Sequence, residues 1–294
     1  VRPHDRSEFR FSFCSIPDRP ARYMRLLSAF VSVALSVSTA AAVAASGPPQ
    51  PERVAIQRIG GVLHGLLYKP DGDGPFATII ALHGCSGLGH GGQIQPRYLD
   101  WAERLLKAGN AVLFPDSYGS RGAGQQCQPK QRKIFARRER VADIHDAQQW
   151  LMQQPWVLHG RTRLLGWDDG ASAVLWAVRP QIAWAGRHDD FRSAVAFYPD
   201  CRISSRLGWS ARVPTLLLIG ADDDLSSPSA CRQMVDDARG RSALARIVVY
   251  PNAHHGFDRV NAPVHVVAGE RGHIGTDLKA RADSQSRVAG WLAR

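Results

Sequence analysis

The chain has 294 residues, a length that allows one large domain or two small ones. Hydrophobic residues make up 44% of the sequence and charged residues 21%, which are proportions of a folded globular protein and exclude intrinsic disorder. Lysine and arginine total 37 against 26 aspartate and glutamate residues, so the formal net charge is +11. A charge of this size suggests a nucleic-acid or anionic-surface partner, and its distribution therefore matters.

The start of the sequence has the layout of a secretory leader. Met24-Arg25 precedes an apolar run from Leu26 to Val37, and Ala42-Val43-Ala44 forms a small-residue cleavage site. The apolar run is shorter than the ~20 residues that a membrane span needs, so we expect a cleaved signal peptide rather than a stable anchor. Residues 1–23 precede the methionine and are interpreted as an upstream extension of the coding sequence.

These boundaries predict the domain organisation. We expect a leader at residues 1–46, with the signal peptide at 24–44, and a single domain at 47–294. The mature chain is then exported, to the bacterial periplasm or outside the cell.

Two segments hold much of the positive charge. The leader contains six arginines and three acids, and residues 121–140 contain seven basic residues and one acid. We interpret the second segment as a solvated loop and helix start, with an anion- or membrane-binding patch as the alternative. No helix-turn-helix, zinc-finger or aromatic stacking pattern accompanies the charge, so nucleic acid is not an expected partner.

Predicted strands alternate with predicted helices along the chain. In order, they are strands Val54–Ile59, Val62–Tyr68 and Ala77–Leu82, helix Tyr98–Ala108, strand Ala111–Phe114, helix Arg138–Gln153, strand Arg163–Leu165, helix Ala171–Val178, strands Ser193–Phe197 and Thr215–Ile219, helix Pro228–Arg239, strand Arg246–Tyr250 and helix Thr276–Ala293. This alternation predicts an α/β fold with a mainly parallel sheet covered by helices on both faces. In such sheets the chemistry lies in loops at the carboxyl ends of the strands.

Two of these loops are rich in glycine. The turn at His83–Gly87 can aim backbone N–H groups at a developing oxyanion. The segment Gly166–Gly170, between a strand and a helix, has the spacing of a nucleophile elbow, a sharp turn whose central residue projects into the site. That central residue is Asp168, not serine or cysteine. A plain tight turn with an aspartate helix cap is the alternative.

Two later loops carry acids and histidines. Three aspartates at 222–224 follow one predicted strand, and His254 and His255 follow the last strand. An elbow, then an acid, then a histidine is the chain order of an α/β-hydrolase triad. The alternative for the three acids is a solvated cap of the helix that starts at Pro228.

With these motifs in this order, residues 54–293 resemble the dienelactone hydrolase family of α/β-hydrolases, in particular its exported branch. The matching segments are Leu82–Cys85, Pro115–Ser117 with Ser120–Gly122, Arg140 with Asp143, the Gly166 elbow, Phe197–Pro199 with Cys201, Gly220–Cys231, and Tyr250-Pro251 with His255–Asp258. The resemblance implies an α/β-hydrolase fold and hydrolysis of an ester or lactone bond in a small-molecule substrate.

The resemblance also implies roles for individual residues. It assigns the nucleophile position to Asp168, the acid to Asp223 with Asp224 as the fallback, the base to His255, and the oxyanion hole to the backbone N–H groups of Cys85 and Asp169. Members of the family usually carry cysteine or serine at the elbow, and this chain departs from them at that position.

An aspartate at the elbow changes the chemistry that the site can perform. Attack by a carboxylate on an ester carbonyl gives an anhydride, and the adduct collapses backwards because carboxylate leaves more readily than alkoxide. Attack on a saturated carbon that bears a halide or an epoxide oxygen gives an alkyl ester, which water activated by His255 can hydrolyse. Haloalkane dehalogenases and epoxide hydrolases of this fold carry aspartate at the elbow, although the rest of the chain does not resemble them.

Three hypotheses follow. In the first, His255 and Asp223 activate water directly to hydrolyse an ester or lactone, and Asp168 has a supporting role. In the second, Asp168 is a covalent nucleophile on carbon–halogen or epoxide substrates. In the third, the chain is a non-catalytic exported binding protein that kept the pocket and lost its nucleophile.

Four cysteines follow the leader, an even number that permits two disulfides in an exported protein. Because they follow the ends of adjacent predicted strands, we expect the pairs Cys85–Cys127 and Cys201–Cys231, with four buried thiols as the alternative. No C-x-x-C or Cys/His ligand spacing is present, so a zinc site is not expected. We expect no other metal and no cofactor.

Overall fold

A computed structural model of the protein describes residues 49–91, 93–128, 130, 132–180, 190–238, 244–267 and 272–294. The leader expected at residues 1–46 lies outside the described residues. The leader and the domain boundary after it therefore stay predictions.

The described strands and helices alternate along the chain. The strands are β1 (Glu52–Arg58), β2 (Gly61–Tyr68), β3 (Phe76–Leu82), β4 (Gly89–His90), β5 (Gln93–Ile94), β6 (Asn110–Pro115), β7 (Val157–Trp167), β8 (Ala194–Phe197), β9 (Thr215–Gly220), β10 (Ala245–Tyr250), β11 (His265–Val266) and β12 (His273–Ile274). The helices are α1 (Pro96–Lys107), α2 (Val141–Met152), α3 (Asp169–Ala177), α4 (Arg202–Arg206), α5 (Pro228–Asp237) and α6 (Leu278–Leu292).

One large sheet organises the molecule. Its eight strands lie in the order β1-β2-β6-β3-β7-β8-β9-β10. The pairs β1–β2 and β2–β6 are antiparallel, and every other pair of neighbours is parallel. The α/β-hydrolase architecture predicted from the sequence is confirmed.

The burial of each strand matches its place in the sheet. Every residue of β6, β8 and β9 is buried, as expected of parallel strands with both faces covered. Strand β1, at the edge, instead alternates between exposed and buried residues, because only one of its faces packs on the core. The central strands are therefore buried and parallel, so their carboxyl ends and the loops that follow them lie along the same edge of the sheet.

Strand β7 is much longer than the predicted strand at Arg163–Leu165. Its first half contains exposed residues, and Gly160 has a φ of +69°, so neither alternation nor a continuous apolar run is visible there. The pairing with β3 shifts in register at the same place. Because its first half is irregular, the sequence pattern predicts only the second half of this strand.

The predicted helix at Arg138–Gln153 has two parts. It starts with a π-helical turn at Ala136–Arg140 and continues as α2. The Arg140 N–H reaches back to the carbonyl of Phe135, and the Glu139 carboxylate accepts the Phe135 N–H, so the wide first turn is held by its own residues. The short helix α4, the two-stranded pairs β4–β5 and β11–β12 and a 3₁₀ turn at Gly119–Arg121 carry no pattern long enough to have been predicted.

Two disulfides join loops at the sheet edge. Cys85, after β3, is bonded to Cys127, after β6, and Cys201, after β8, is bonded to Cys231 in α5. The pairing is the one that adjacency of the strands led us to expect.

In the described part of the chain, no helix is long and apolar enough to cross a membrane.

Candidate active site

Asp168 lies on a strained turn between β7 and α3. Its φ is +53° and its ψ −116°, a conformation that costs a non-glycine residue free energy. A Cβ on Gly166 would come within 2.5 Å of the Gly170 carbonyl oxygen, and one on Gly170 within 2.2 Å of the Leu82 carbonyl oxygen. The side chain of Asp168 does not cap α3. The turn thus has the geometry of a nucleophile elbow and not that of an aspartate cap.

The Asp168 carboxylate accepts a hydrogen bond from the turn after β3. Its Oδ2 lies 2.7 Å from the backbone nitrogen of Cys85. A Cβ on Gly84 would lie 3.0 Å from the same oxygen, a tight contact that would displace the Asp168 side chain by a few tenths of an ångström. The second expected donor, the N–H of Asp169, belongs to the first residue of α3 and has no acceptor within the helix. One carboxylate oxygen therefore occupies the position that the family resemblance led us to expect for an oxyanion.

His255 is held by the aspartate loop after β9. Its Nδ1 lies 2.9 Å from Oδ2 of Asp223, whose carboxylate is fully buried. The other oxygen of Asp223 accepts backbone N–H groups of Leu225 and Ser226 at 3.1 and 2.7 Å. These two bonds fix the carboxylate, so that it orients the imidazole with Nε2 directed away from Asp223.

The fallback acid has a different partner. Asp224 accepts hydrogen bonds from the Nδ1 and the backbone N–H of His273, at 2.7 and 2.8 Å. His254 bonds through Nδ1 to the carbonyl of Asp222. Both residues lie beside the acid–histidine pair of the site and are not part of it.

Nε2 of His255 lies 3.9 Å from Oδ1 of Asp168. Burial lowers the pKa of His255, but the charge and hydrogen bond of Asp223 and the charge of Asp168 outweigh burial and raise the pKa above its ordinary value of 6.5. The imidazole is therefore a stronger base than a free histidine, directed at the elbow carboxylate. Three loops that are distant in sequence meet here.

Arg97, at the start of α1, connects to both the turn after β3 and the loop that carries His255, through one tyrosine on each side. Its guanidinium donates to the hydroxyl of Tyr198 at 2.7 Å and to that of Tyr98 at 2.9 Å. The Tyr98 hydroxyl also accepts the Gly84 N–H at 2.7 Å, and the Tyr198 ring lies 4.4 Å from the ring of His255. Sequence reasoning missed Arg97, because a single arginine at a helix start carries no local signal.

A buried carboxylate completes this support. Asp258 accepts the indole N–H groups of Trp101 and Trp167 on one oxygen, both at 2.8 Å, and the Tyr198 hydroxyl on the other at 2.6 Å. Arg97 lies 4.0 Å away and supplies the compensating charge. The loop after β10, which carries His255, is thereby tied to the core beneath the elbow.

The side chain of Asp169 anchors one wall of the site. It accepts hydrogen bonds from Arg132 at 2.8 Å, from the Tyr118 hydroxyl at 2.7 Å and from Arg140 at 3.2 Å. Arg140 is completely buried. The residue after the elbow is therefore held by two cations from the basic segment.

The basic segment at 121–140 was interpreted as solvated, and this is correct for only part of it. Lys130, Lys133, Arg137 and Arg138 are exposed. Arg121 instead forms two hydrogen bonds with the buried Asp143, while Arg132 and Arg140 hold Asp169. Three of the seven cations therefore pair with buried carboxylates, and one of the three, Arg140, is itself buried.

Asp168 and His255 line one cavity of about 750 Å³. Apolar side chains and cations both line this cavity. The apolar side chains include Phe135, Trp176, Ile203, Leu225 and Ile274, and the cations include Arg97, Arg132 and Arg259. Within the described ranges, Nε of Arg97 and Nε of Arg259 are buried and have no acceptor. No cluster of three or more side chains suited to a metal ion occurs among those same residues.

Comparisons place the chain among known proteins. Residues 63–294 match the model of the dienelactone hydrolase family. Similar solved structures include a putative dienelactone hydrolase from Klebsiella pneumoniae, with 19% identity, a TM-score of 0.63 and coverage of 83% of this chain and 98% of that one. A search of curated proteins found no match.

Two further structures are similar in fold. The dienelactone hydrolase-like promiscuous phosphotriesterase P91 from metagenomic libraries has 18% identity and a TM-score of 0.67, with 84% of this chain and 98% of that one covered. Esterase 2 of Thermogutta terrifontis, phosphorylated by paraoxon, has 15% identity and a TM-score of 0.59, with 83% and 93% covered. At these identities the similarity concerns the fold.

The pKa of His255 tests the pairing within the site. In Asp223→Asn we expect this pKa to fall, since burial then acts without its main counterweight. Asp224→Asn is the matched control and is expected to leave the pKa of His255 nearly unchanged, because Asp224 bonds to His273. An NMR titration of the histidine ring protons measures both variants. An equal fall in the two would contradict the assignment of Asp223 as the partner.

Proposed function

Because the chain belongs to the dienelactone hydrolase family, we propose that it is a hydrolase that forms a transient alkyl ester on Asp168. The observation that supports this proposal is the 2.7 Å hydrogen bond from the Cys85 N–H to Oδ2 of Asp168. It gives the two carboxylate oxygens different environments. None of the described residues donates a hydrogen bond to Oδ1, which lies nearer to His255.

The same hydrogen bond argues against attack on an ester carbonyl by the resting enzyme. A tetrahedral adduct needs donors for its oxyanion. The Cys85 N–H, which would supply one, is already occupied by Oδ2 of Asp168. Displacement at a saturated carbon forms no tetrahedral oxyanion on the attacked carbon, and its negative charge develops on the halide or epoxide oxygen instead. The filled position beside the Cys85 N–H therefore does not oppose that reaction.

In the proposed first step, Oδ1 of Asp168 attacks a saturated carbon that bears a halide or an epoxide oxygen. The new O–C bond forms as the bond from that carbon to the halogen or epoxide oxygen breaks. A halide departs with the electron pair, whereas an epoxide oxygen keeps the pair, stays attached to the substrate through its other carbon and takes a proton from water. Arg97 and Arg259 line the cavity. The Nε–H of each is buried and has no acceptor among the described residues. Burial and the charge of Arg97 lower the pKa of Arg259, so a departing anion would relieve unfavourable positive charge.

In the proposed second step, Nε2 of His255 takes a proton from water, and the hydroxide attacks Cγ of the Asp168 ester. Oδ2 becomes the oxyanion, already bound to the Cys85 N–H. Collapse of the adduct breaks the Cγ–Oδ1 bond, and the alcohol leaves with the proton held by His255. Asp223 stabilises the imidazolium throughout. The family's ester-hydrolysing apparatus would then act on an ester of the enzyme itself.

A second candidate function is direct hydrolysis of an ester or lactone of a small molecule. It is favoured by the family match and by similarity to the esterase and phosphotriesterase described above. In this candidate His255 and Asp223 activate water against the substrate, and Asp168 has to leave the Cys85 N–H to make room for the carbonyl oxygen.

We also propose that the chain is exported, with residues 1–46 as its leader. Two disulfides support this location, because disulfides persist in oxidising compartments. The intact mass of protein recovered from the periplasm or medium tests the proposal. A mass that retains residues 24–44 would contradict it.

Trapping the ester tests the proposed chemistry. In His255→Ala the first step is retained and the second is lost, so incubation with a panel of epoxides and haloalkanes should leave an adduct of the substrate's mass on the peptide containing Asp168. Peptide mass spectrometry locates it. The matched control Asp168→Ala should acquire none.

The other two hypotheses predict different results. If the wild type hydrolyses an activated ester such as p-nitrophenyl acetate and Asp168→Ala keeps the rate, Asp168 is a bystander and the second candidate holds. If no substrate reacts with the wild type, while Asp168→Ser gains ester hydrolysis, the chain is a binding protein that lost its nucleophile. Either result overturns the covalent mechanism.

A further inference from the structure

Cys85 has two roles at one position. Its backbone N–H holds Oδ2 of Asp168, and its side chain forms the disulfide with Cys127. Its carbonyl accepts the N–H of Gln126, the residue before Cys127, at 2.7 Å. On the other side, the turn is fixed through Gly84 by the Tyr98 hydroxyl. The peptide that presents the oxyanion donor is therefore held on its far side by the loop of Cys127.

That loop is stiffened by one buried side chain. The Gln126 amide oxygen accepts the backbone N–H groups of Lys133 and Ile134 at 2.7 and 3.4 Å. The Gln126 carbonyl accepts Nε of Arg132 at 3.2 Å. Gln126 thus connects the residue beside Cys127 to the segment 132–134.

The same segment reaches the other side of the elbow. Arg132 donates through Nη1 to Oδ1 of Asp169 at 2.8 Å. Asp169 directly follows Asp168 and supplies the second expected donor of the oxyanion hole. One loop, attached covalently at Cys85 and by a charged hydrogen bond at Asp169, therefore braces both donors.

We propose that the Cys85–Cys127 disulfide is a positioning element of the oxyanion hole, and that its reduction disables the hole while leaving the His255–Asp223 pair intact. The effect on turnover rests on the proposed function; the effect on the Cys85 N–H does not. Reduction by a small dithiol transfers two electrons, yields two cysteine thiols and converts the dithiol to its cyclic disulfide.

Exposure makes the disulfide selectively addressable. Cys85 and Cys127 are half-buried and line the cavity, whereas Cys201 and Cys231 have no exposed surface. A reductant that enters the cavity should reduce the first pair at concentrations that spare the second. The buried disulfide then serves as a control within the same molecule.

The test uses the whole chain labelled with ¹⁵N-cysteine and treated with increasing concentrations of a dithiol. Thiol alkylation and peptide mass spectrometry report which pair is reduced. We expect the amide resonance of Cys85 to shift and its hydrogen exchange to accelerate at least tenfold on reduction, while the Nδ1 proton of His255 stays in place. Reoxidation should restore the original resonance.

Two further measurements complete the test. If the protein turns over, breakdown of the alkyl ester should slow by roughly tenfold to a hundredfold on reduction. Complete removal of one oxyanion-hole donor costs about a hundredfold to a thousandfold, and reduction displaces the Cys85 N–H without removing it. Cys127→Ser should reproduce the reduced state under oxidising conditions. A Cys85 amide whose shift and exchange are the same in oxidised, reduced and Cys127→Ser protein would overturn the proposal, whether or not the chain is an enzyme.

Discussion

The hydrogen bond between the Cys85 N–H and Oδ2 of Asp168 is the interaction on which the site depends. A carboxylate at the elbow has two equivalent oxygens until the protein distinguishes them. Binding one oxygen to a backbone N–H leaves the other turned toward the base and the cavity. This hydrogen bond also helps to explain why the strained backbone conformation of Asp168 persists, since that conformation brings the side chain to the turn after β3.

The surrounding fold supplies the rigidity that this arrangement needs. Arg97 joins the hydroxyl that holds Gly84 to the hydroxyl beneath His255, and the buried carboxylate of Asp258 gathers two indoles and Tyr198 behind the elbow. Because these groups are buried and paired, movement of one would leave others without partners. His255, the elbow and the turn that carries the Cys85 N–H are thus positioned by one connected polar network.

Local patterns in the sequence predicted most of the fold and the three loops of the site, because buried strands and strand-end glycines leave signals within a few residues. The family resemblance assigned the acid to Asp223, and local pattern alone could not separate it from Asp224, since both follow the same strand. The structure pairs Asp223 with His255 and Asp224 with His273. Arg97 escaped prediction because its role comes from partners far away in sequence. The position of Oδ2 in the site, on which the proposed covalent ester rests, is likewise a property of the folded chain alone.

The fate of oxygen from water tests the central claim most directly. In a single turnover with enzyme in excess in H₂¹⁸O, a covalent ester on Asp168 leaves the label in the aspartate, because hydroxide attacks Cγ and the alcohol departs with Oδ1. The account predicts one ¹⁸O in the peptide that contains Asp168 and an unlabelled alcohol. Label in the first-turnover product, with an unlabelled aspartate, would contradict it.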